Sequence, residues 1–425
     1  MVKSFIELCN NNKHKDAFRY LKNSKLKCKK YSQLLDDIYR FCNLFIYNNL
    51  KPNDKIIVFV KPSYEFYCLM FAGIMYGINI IVIDSFKDLN KLNQMIKISN
   101  AKYVFVNNST SLIAKFLFKG LKKINVSNYY KYSSNSFEPI EDLNRTVLTT
   151  FTSGTTGVPK IINRSFKDFT NQISIIKQSY TFNSHDVVVS MLPIYVLFSL
   201  FNGNTTCIIR KINNKNINML KADILLGKIS EILKIEEQIL NIKEVYFGGA
   251  YIYKQEAKKI LSTFPNSKVN YTYGASEGVV IGVNTINDYY QNTRFKIVDG
   301  INIEISDAVN NIGEIVISGD SVITNKKKHY TGDIGYLKDG YVHIVGRKKY
   351  SSLEDEFYNY SYDQRMRDLY NLDKAFSIYY NEKVYVFSNK HISKEGFIKV
   401  NKIPYDLKHK TKADYSKLID KYLNK

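Results

Sequence analysis

Short apolar runs alternate with helix-period segments through the first hundred residues, and that alternation restricts the fold more than any other property of the chain. Lys55-Ile-Ile-Val-Phe-Val60 reads as a strand. Ser63 then offers an N-cap, with Glu65 in the first turn of an apolar helix that a Gly77-Ile-Asn79 break ends. A strand is expected over 78–83, a helix over Leu89–Ser99 and another strand over 101–106. Strands spaced by helices of about 10–15 residues predict a parallel α/β sheet, with function at the carboxyl ends of its strands.

The pattern changes after Gly313. Short strands are expected over 314–318, 335–338 and 341–345, with Lys338-Asp339-Gly340 as a hairpin turn. Gly346-Arg347 marks a boundary. Beyond it, a helix near 363–370, strands near 374–379 and 383–387 and a terminal helix make a small α+β cap on a large α/β body. At 425 residues the chain is long enough for both.

Charge and cysteine content narrow the partners. The net charge of +22 is nearly all lysine, spread along the chain with abundant Asn, Ile and Tyr. That spread reads as compositional bias, so no nucleic-acid partner is expected. Cys9, Cys28, Cys42, Cys68 and Cys207 form no Cys-x-x-Cys pair, which suits a reducing cytoplasm. The longest apolar stretch, 66–83, divides into a helix and a strand at its glycine, so no stable membrane insertion is expected. The amino-terminal residues turn polar too soon for a signal peptide.

Six motifs carry the chemistry. Thr152-Ser153-Gly154-Thr155-Thr156-Gly157-Val158-Pro159-Lys160 offers freed backbone N–H groups, hydroxyls and one ammonium, a set suited to a polyphosphate; its spacing is not that of a Walker A loop. Lys243-Glu-Val-Tyr-Phe-Gly248-Gly249-Ala250 is a strand delivering a double glycine. Tyr271-Thr-Tyr273-Gly274-Ala275-Ser276-Glu277 places a ring beside a glycine, where a flat base could stack, and a hard oxygen ligand for Mg²⁺. Tyr330-Thr331-Gly332-Asp333 supplies a carboxylate able to accept two ribose hydroxyls, and Arg347 a guanidinium for phosphate or ribose oxygen. Lys412 precedes a terminal helix.

In that order these motifs resemble the AMP-forming adenylating enzymes: acyl-CoA synthetases, luciferases and peptide-synthetase adenylation domains. The resemblance spans Thr149 to Lys412, and the first 140 residues are similar to the family's opening half-domain. It implies an α/β body over 1–346, built of two α/β subdomains plus a small β-barrel-like region, and a mobile α+β cap over 347–425. It also implies roles. Thr152 to Lys160 would grip the β- and γ-phosphates of ATP. Gly249 and Ala250 would border the adenine and the acyl channel, and Tyr273 would stack on adenine. Gly274 and Ala275 would belong to the same nucleotide-binding set, in which Ser276 would touch the α-phosphate and Glu277 would hold Mg²⁺. Asp333 would bind ribose, assisted by Arg347, and Lys412 would be the mobile lysine that settles on the α-phosphate and the attacking carboxylate. ATP and Mg²⁺ are the implied cofactors, and CoA or a phosphopantetheine carrier the implied acceptor.

Two features refine the resemblance. After the hinge the family places a further glycine beside its pantetheine tunnel, whereas here no glycine falls between Gly346 and Gly396. Met191-Leu-Pro193-Ile-Tyr195-Val-Leu-Phe-Ser-Leu-Phe-Asn-Gly203, the Phe264-Pro265 turn and His409-Lys-Thr-Lys412-Ala-Asp414-Tyr415 are similar to fatty acyl-CoA ligase-like proteins and β-lactone synthetases. Three outcomes therefore stay open: adenylation followed by transfer to CoA or an acyl carrier protein, adenylation followed by ring closure without a thiol, and another adenylating relative that forms no thioester. The apolar 194–201 favours a hydrophobic small-molecule acid, fatty or aryl.

Overall fold

The computed structural model describes residues 1–83, 88–153, 159–209, 211–324, 327–405 and 413–424, excepting the side chains of Thr152 and Ser153. The chain forms two compact units. The first is Met1–Lys211 with Lys215–Leu226, and the second is Ile212–Asn214 with Gly227–Lys425.

In the first unit a six-stranded sheet runs in the order Lys122–Asn125, Tyr103–Val106, Lys55–Phe59, Asn79–Val82, Thr146–Ser153, Pro159–Ser165. The first five strands are parallel, as the alternating pattern predicts, and the last is antiparallel. Helix Tyr64–Tyr76 begins where Ser63 Oγ accepts the Phe66 N–H at 3.3 Å. It ends at Gly77, whose φ of +87° is left-handed and favours glycine. Helices Leu89–Ser99 and Ser111–Leu117 share one core with the sheet, in which Leu92, Met95, Ala114 and Phe118 meet Ile57 and Val104. The other strands of this unit, from the one starting at Ile224 through Val187–Ser190 and Thr205–Ile208 to Asp16–Lys22, run parallel in that order, and Lys25–Lys30 adds an antiparallel edge.

In the second unit the parallel strands Glu244–Gly248 and Lys268–Tyr273 lead into antiparallel Gly282–Thr285, Arg294–Ile297, Tyr341–Arg347, His329–Lys338, Ile312–Ser318 and Asn302–Val309. The expected β-barrel-like region is corrected here. These strands form an open sheet, with no closed barrel among the described residues, because Asn302–Val309 is a half-exposed edge paired only to Ile312–Ser318. The expected hairpin turn is present, with Asp339 and Gly340 both at positive φ, as a tight two-residue turn requires. Helix Asn359–Tyr370, the three-stranded sheet Ala375–Tyr380, Lys383–Ser388, Phe397–Lys399 and the expected terminal helix, Tyr415–Tyr422, follow in this unit. Among the described residues no helix is long and apolar enough to cross a membrane.

Candidate active site

Antiparallel pairing of His329–Lys338 with Tyr341–Arg347 sets Asp333 directly opposite Arg347. Arg347 Nη1 donates to Asp333 Oδ1 at 2.7 Å and to the Thr331 carbonyl at 3.2 Å. From the end of strand Lys268–Tyr273, the Tyr273 hydroxyl donates to Asp333 Oδ2 at 3.0 Å. Each carboxylate oxygen thus holds one side-chain donor and keeps a second lone pair for another. Burial, reinforced by Asp333, pushes the Tyr273 phenol well up, so it stays a donor. Asp333 likewise lifts the Arg347 guanidinium above its already high value.

The turn after Tyr273 is fixed by sterics. A Cβ on Gly274 would lie 2.2 Å from the Val279 carbonyl oxygen, so only glycine fits. The Ala275 N–H donates to Gly278 O at 3.1 Å, and the Ile281 N–H to Tyr273 O at 2.9 Å. The Ile323 N–H pins Glu277 O at 2.9 Å. The Glu277 carboxylate lies 3.6 Å from His329 Nε2, with side-chain exposures of 12% and 14%. One largely enclosed carboxylate fits Mg²⁺ held jointly with phosphate oxygens; a dedicated protein cage is a different design, and among the described residues no three or more His, Cys, Asp or Glu are grouped so as to hold a metal ion. At the other glycine motif, Gly249 sits at φ +98°. Ala250 is buried, and its carbonyl accepts the Tyr271 hydroxyl at 2.6 Å.

Two supporting residues, Glu314 and Asn359, escaped the motif reading. Buried Glu314 accepts the Gly332 N–H at 3.1 Å through one oxygen and Lys348 Nζ at 2.7 Å through the other, holding the Thr331-Gly332-Asp333 turn. Asn359 Oδ1 accepts the Arg347 N–H at 2.8 Å and the Ser351 hydroxyl at 3.1 Å. Gly346 is needed there, since its Cβ would lie 2.6 Å from Ser351 Oγ. Gly313-Glu314 at the start of a strand was the available signal for the first of these; nothing local marks Asn359.

Farther along helix Asn359–Tyr370, Asp363 is fully buried. It accepts the Tyr253 hydroxyl on Oδ2 and both the N–H and hydroxyl of Ser377 on Oδ1, each at 2.5 Å. Burial outweighs these donors and lifts its carboxyl to about 7. Arg367 lies 3.6 Å above the Tyr253 ring and pairs with Glu256 at 3.0 Å.

The remaining expected site residues divide as follows. Strand Thr146–Ser153 pairs Thr152 with Lys160, which is exposed on Pro159–Ser165. Gly154, Thr155, Thr156 and Gly157 lie outside the described residues, as does Lys412. Lys412 directly precedes Ala413, which bridges Tyr405, and the Asp414 N–H donates to Pro404 O at 2.8 Å. The second unit thus assembles Tyr273, Asp333, Arg347 and the 274–277 turn, while Thr152 and Lys160 belong to the first.

Residues 7–325 match the family described as AMP-binding enzyme. The chain belongs to that family. This AMP-binding enzyme is 25% identical over 372 residues to the D-alanine–D-alanyl carrier protein ligase of Lactococcus lactis subsp. lactis, covering 75% of this chain and 72% of that protein. Over 345 residues it is 22% identical to surfactin synthase subunit 1 of Bacillus subtilis, covering 68% of this chain and 10% of that much longer relative. Its fold matches the AMP complex of o-succinylbenzoate coenzyme A synthetase from Bacillus subtilis with a TM-score of 0.81, at 14% identity and 96% coverage of each chain. The fold is that of the adenylate-forming enzymes, a mixed α/β architecture.

Proposed function

We propose that this AMP-binding enzyme condenses a carboxylic acid with the α-phosphate of ATP, releasing pyrophosphate and forming an acyl-adenylate. The observation that carries the reading is the carboxylate of Asp333, held between Tyr273 and Arg347 with one lone pair left on each oxygen. That arrangement suits the two hydroxyls of a ribose. Tyr273 provides the flat surface for adenine beside it, and Ser276 a hydroxyl for the α-phosphate.

Both reactants are anions, so the barrier is electrostatic and positional, and cations are the main tools. Lys160 and the loop from Thr152 hold the departing pyrophosphate. Lys412 neutralises charge developing between the attacking carboxylate and the α-phosphorus, carried there by a C-terminal segment that swings about the Gly346-Arg347 hinge with Lys349 as the pivot. Glu277 is the residue that would hold Mg²⁺, which when bound supplies further charge neutralisation on the phosphates.

A hydrophobic acid is the proposed substrate class. Helix Pro193–Phe201 is apolar apart from Ser199 and the Tyr195 hydroxyl, and Met191 to Ile194 at its entry are half-buried. The proposed acceptor is the thiol of CoA or of a phosphopantetheine carrier protein. The glycine-free 347–395 favours a second reading, in which the adenylate of a β-hydroxy acid closes on itself. Acid-dependent AMP release, measured with and without CoA, tests both. Release that increases with CoA supports the thiol ligase, and release indifferent to any thiol supports ring closure. AMP release from no acid overturns the proposal.

A further inference from the structure

Lysines are spread through the chain, but acidic residues are not. Residues 89–137 contain eight lysines and neither an aspartate nor a glutamate, so this short stretch supplies eight of the net +22 charges. The same stretch contains the densest group of exposed apolar side chains. On helix Ser111–Leu117, Leu112, Ile113 and Phe116 are 67%, 53% and 69% exposed, and their i, i+1, i+4 spacing places them on one face. Single exposed hydrophobics are ordinary, whereas three on a two-turn helix form a patch that needs an explanation.

The patch has a broad base. Helices Leu89–Ser99 and Ser111–Leu117 pack into one core on one face of the six-stranded sheet, so their outer surfaces look the same way. Leu89 and Ile98 add exposed apolar groups on the neighbouring helix. Lys115 and Lys119 flank the apolar residues, are exposed, and have no ion-pair partner among the described residues.

We propose that this face docks on the surface of an anionic lipid bilayer, with Leu112, Ile113 and Phe116 entering the interface and the lysines meeting headgroup phosphates. Charge complementarity selects the partner. Two copies of this chain meeting here would set Lys115 and Lys119 of one against the same lysines of the other, which opposes self-association. A nucleic acid would satisfy the lysines but would leave Leu112 and Ile113 without a partner, because aliphatic groups neither stack on bases nor bind phosphate. A bilayer surface satisfies both sets at once. The inference stands independently of the proposed reaction and involves none of its residues.

Cosedimentation of the full chain with phosphatidylcholine vesicles, plain or containing about a third phosphatidylglycerol, tests it. Binding is expected to the anionic vesicles only, and to fall steeply with added salt. Lys115→Gln with Lys119→Gln should weaken it by roughly 25-fold, at about 5-fold per lysine near the surface. Leu112→Asn with Phe116→Asn should weaken it by roughly 30-fold or more at an unchanged melting temperature. Absence of binding, equal binding to neutral vesicles, or full retention in the Leu112→Asn, Phe116→Asn variant would each overturn the proposal. So would loss in that variant of a concentration-dependent dimer in place of vesicle binding.

Discussion

Asp333→Ala removes the carboxylate on which Tyr273 and Arg347 converge. In the native site each Asp333 oxygen already accepts one donor, the Tyr273 hydroxyl at 3.0 Å and Arg347 Nη1 at 2.7 Å. Each then has one lone pair for a ribose hydroxyl. A hydrogen bond to a charged acceptor contributes about 1.5–3 kcal/mol, so two contribute roughly 3–6 kcal/mol, or about 10²–10⁴ in affinity. Isothermal titration of ATP against 2′,3′-dideoxy-ATP isolates this contribution. Wild type should prefer ATP by about 10²-fold or more, and Asp333→Ala should bind the two alike, since a ligand without hydroxyls has nothing further to lose. Asp333→Asn, which keeps an acceptor oxygen but not the charge, should fall between. The comparison of two ligands on one protein cancels any general loosening caused by leaving Tyr273 and Arg347 without their acceptor. An undiminished preference for ATP in Asp333→Ala, or none in wild type, would refute the ribose assignment.

Lys412→Ala should abolish adenylation, with a loss on the order of 10²–10³ in rate or more, and leave ATP binding within a few-fold; unchanged turnover would mean that another cation serves the step. Gly274→Ala must push a methyl group against the Val279 carbonyl oxygen 2.2 Å away, and should cost about 1–3 kcal/mol in thermal or denaturant unfolding; a wild-type melting temperature would show that the turn is soft. Asp363 gives a pH signature. Its folded-state value of about 7 lies above the ordinary 3.8, so the folded protein holds the proton more tightly. The stabilisation is complete below about pH 4 and is lost as pH rises to about 7, at up to roughly 1.4 kcal/mol per pH unit. Asp363→Asn should erase that slope in urea unfolding measured across the window, and an identical slope in the variant would place the titration elsewhere.

What the sequence disclosed followed from local rules. The Ser63 cap, the Gly77 stop, helix Leu89–Ser99 and the Asp339-Gly340 hairpin each depend on a few neighbouring residues, and each appears in the structure. Counted from that turn, Asp333 would face Gly346; it faces Arg347 because the register shifts between Ile334 and Gly335, a bulge that local pattern does not encode. The amino-terminal hairpin Asp16–Lys22/Lys25–Lys30 was not legible either: its second strand, Lys-Leu-Lys-Cys-Lys-Lys, is mostly exposed and lacks a buried apolar stripe. Asp363 and Arg367 stand on a polar helix with nothing in the local sequence to mark them, yet both are buried, because their partners Tyr253, Glu256 and Ser377 come from distant segments. Asn359 and Glu314 gain their importance the same way, through backbone groups of Arg347 and Gly332 that only the fold brings near.

Exchange of radiolabelled pyrophosphate into ATP, screened over fatty, aryl, β-hydroxy and amino acids, probes the first half-reaction before any acceptor is chosen. At least one hydrophobic acid should drive exchange in the wild-type chain, and Lys412→Ala should abolish it while still binding ATP. A folded, ATP-binding protein that exchanges label with no acid in the panel would contradict the assignment of an adenylating enzyme.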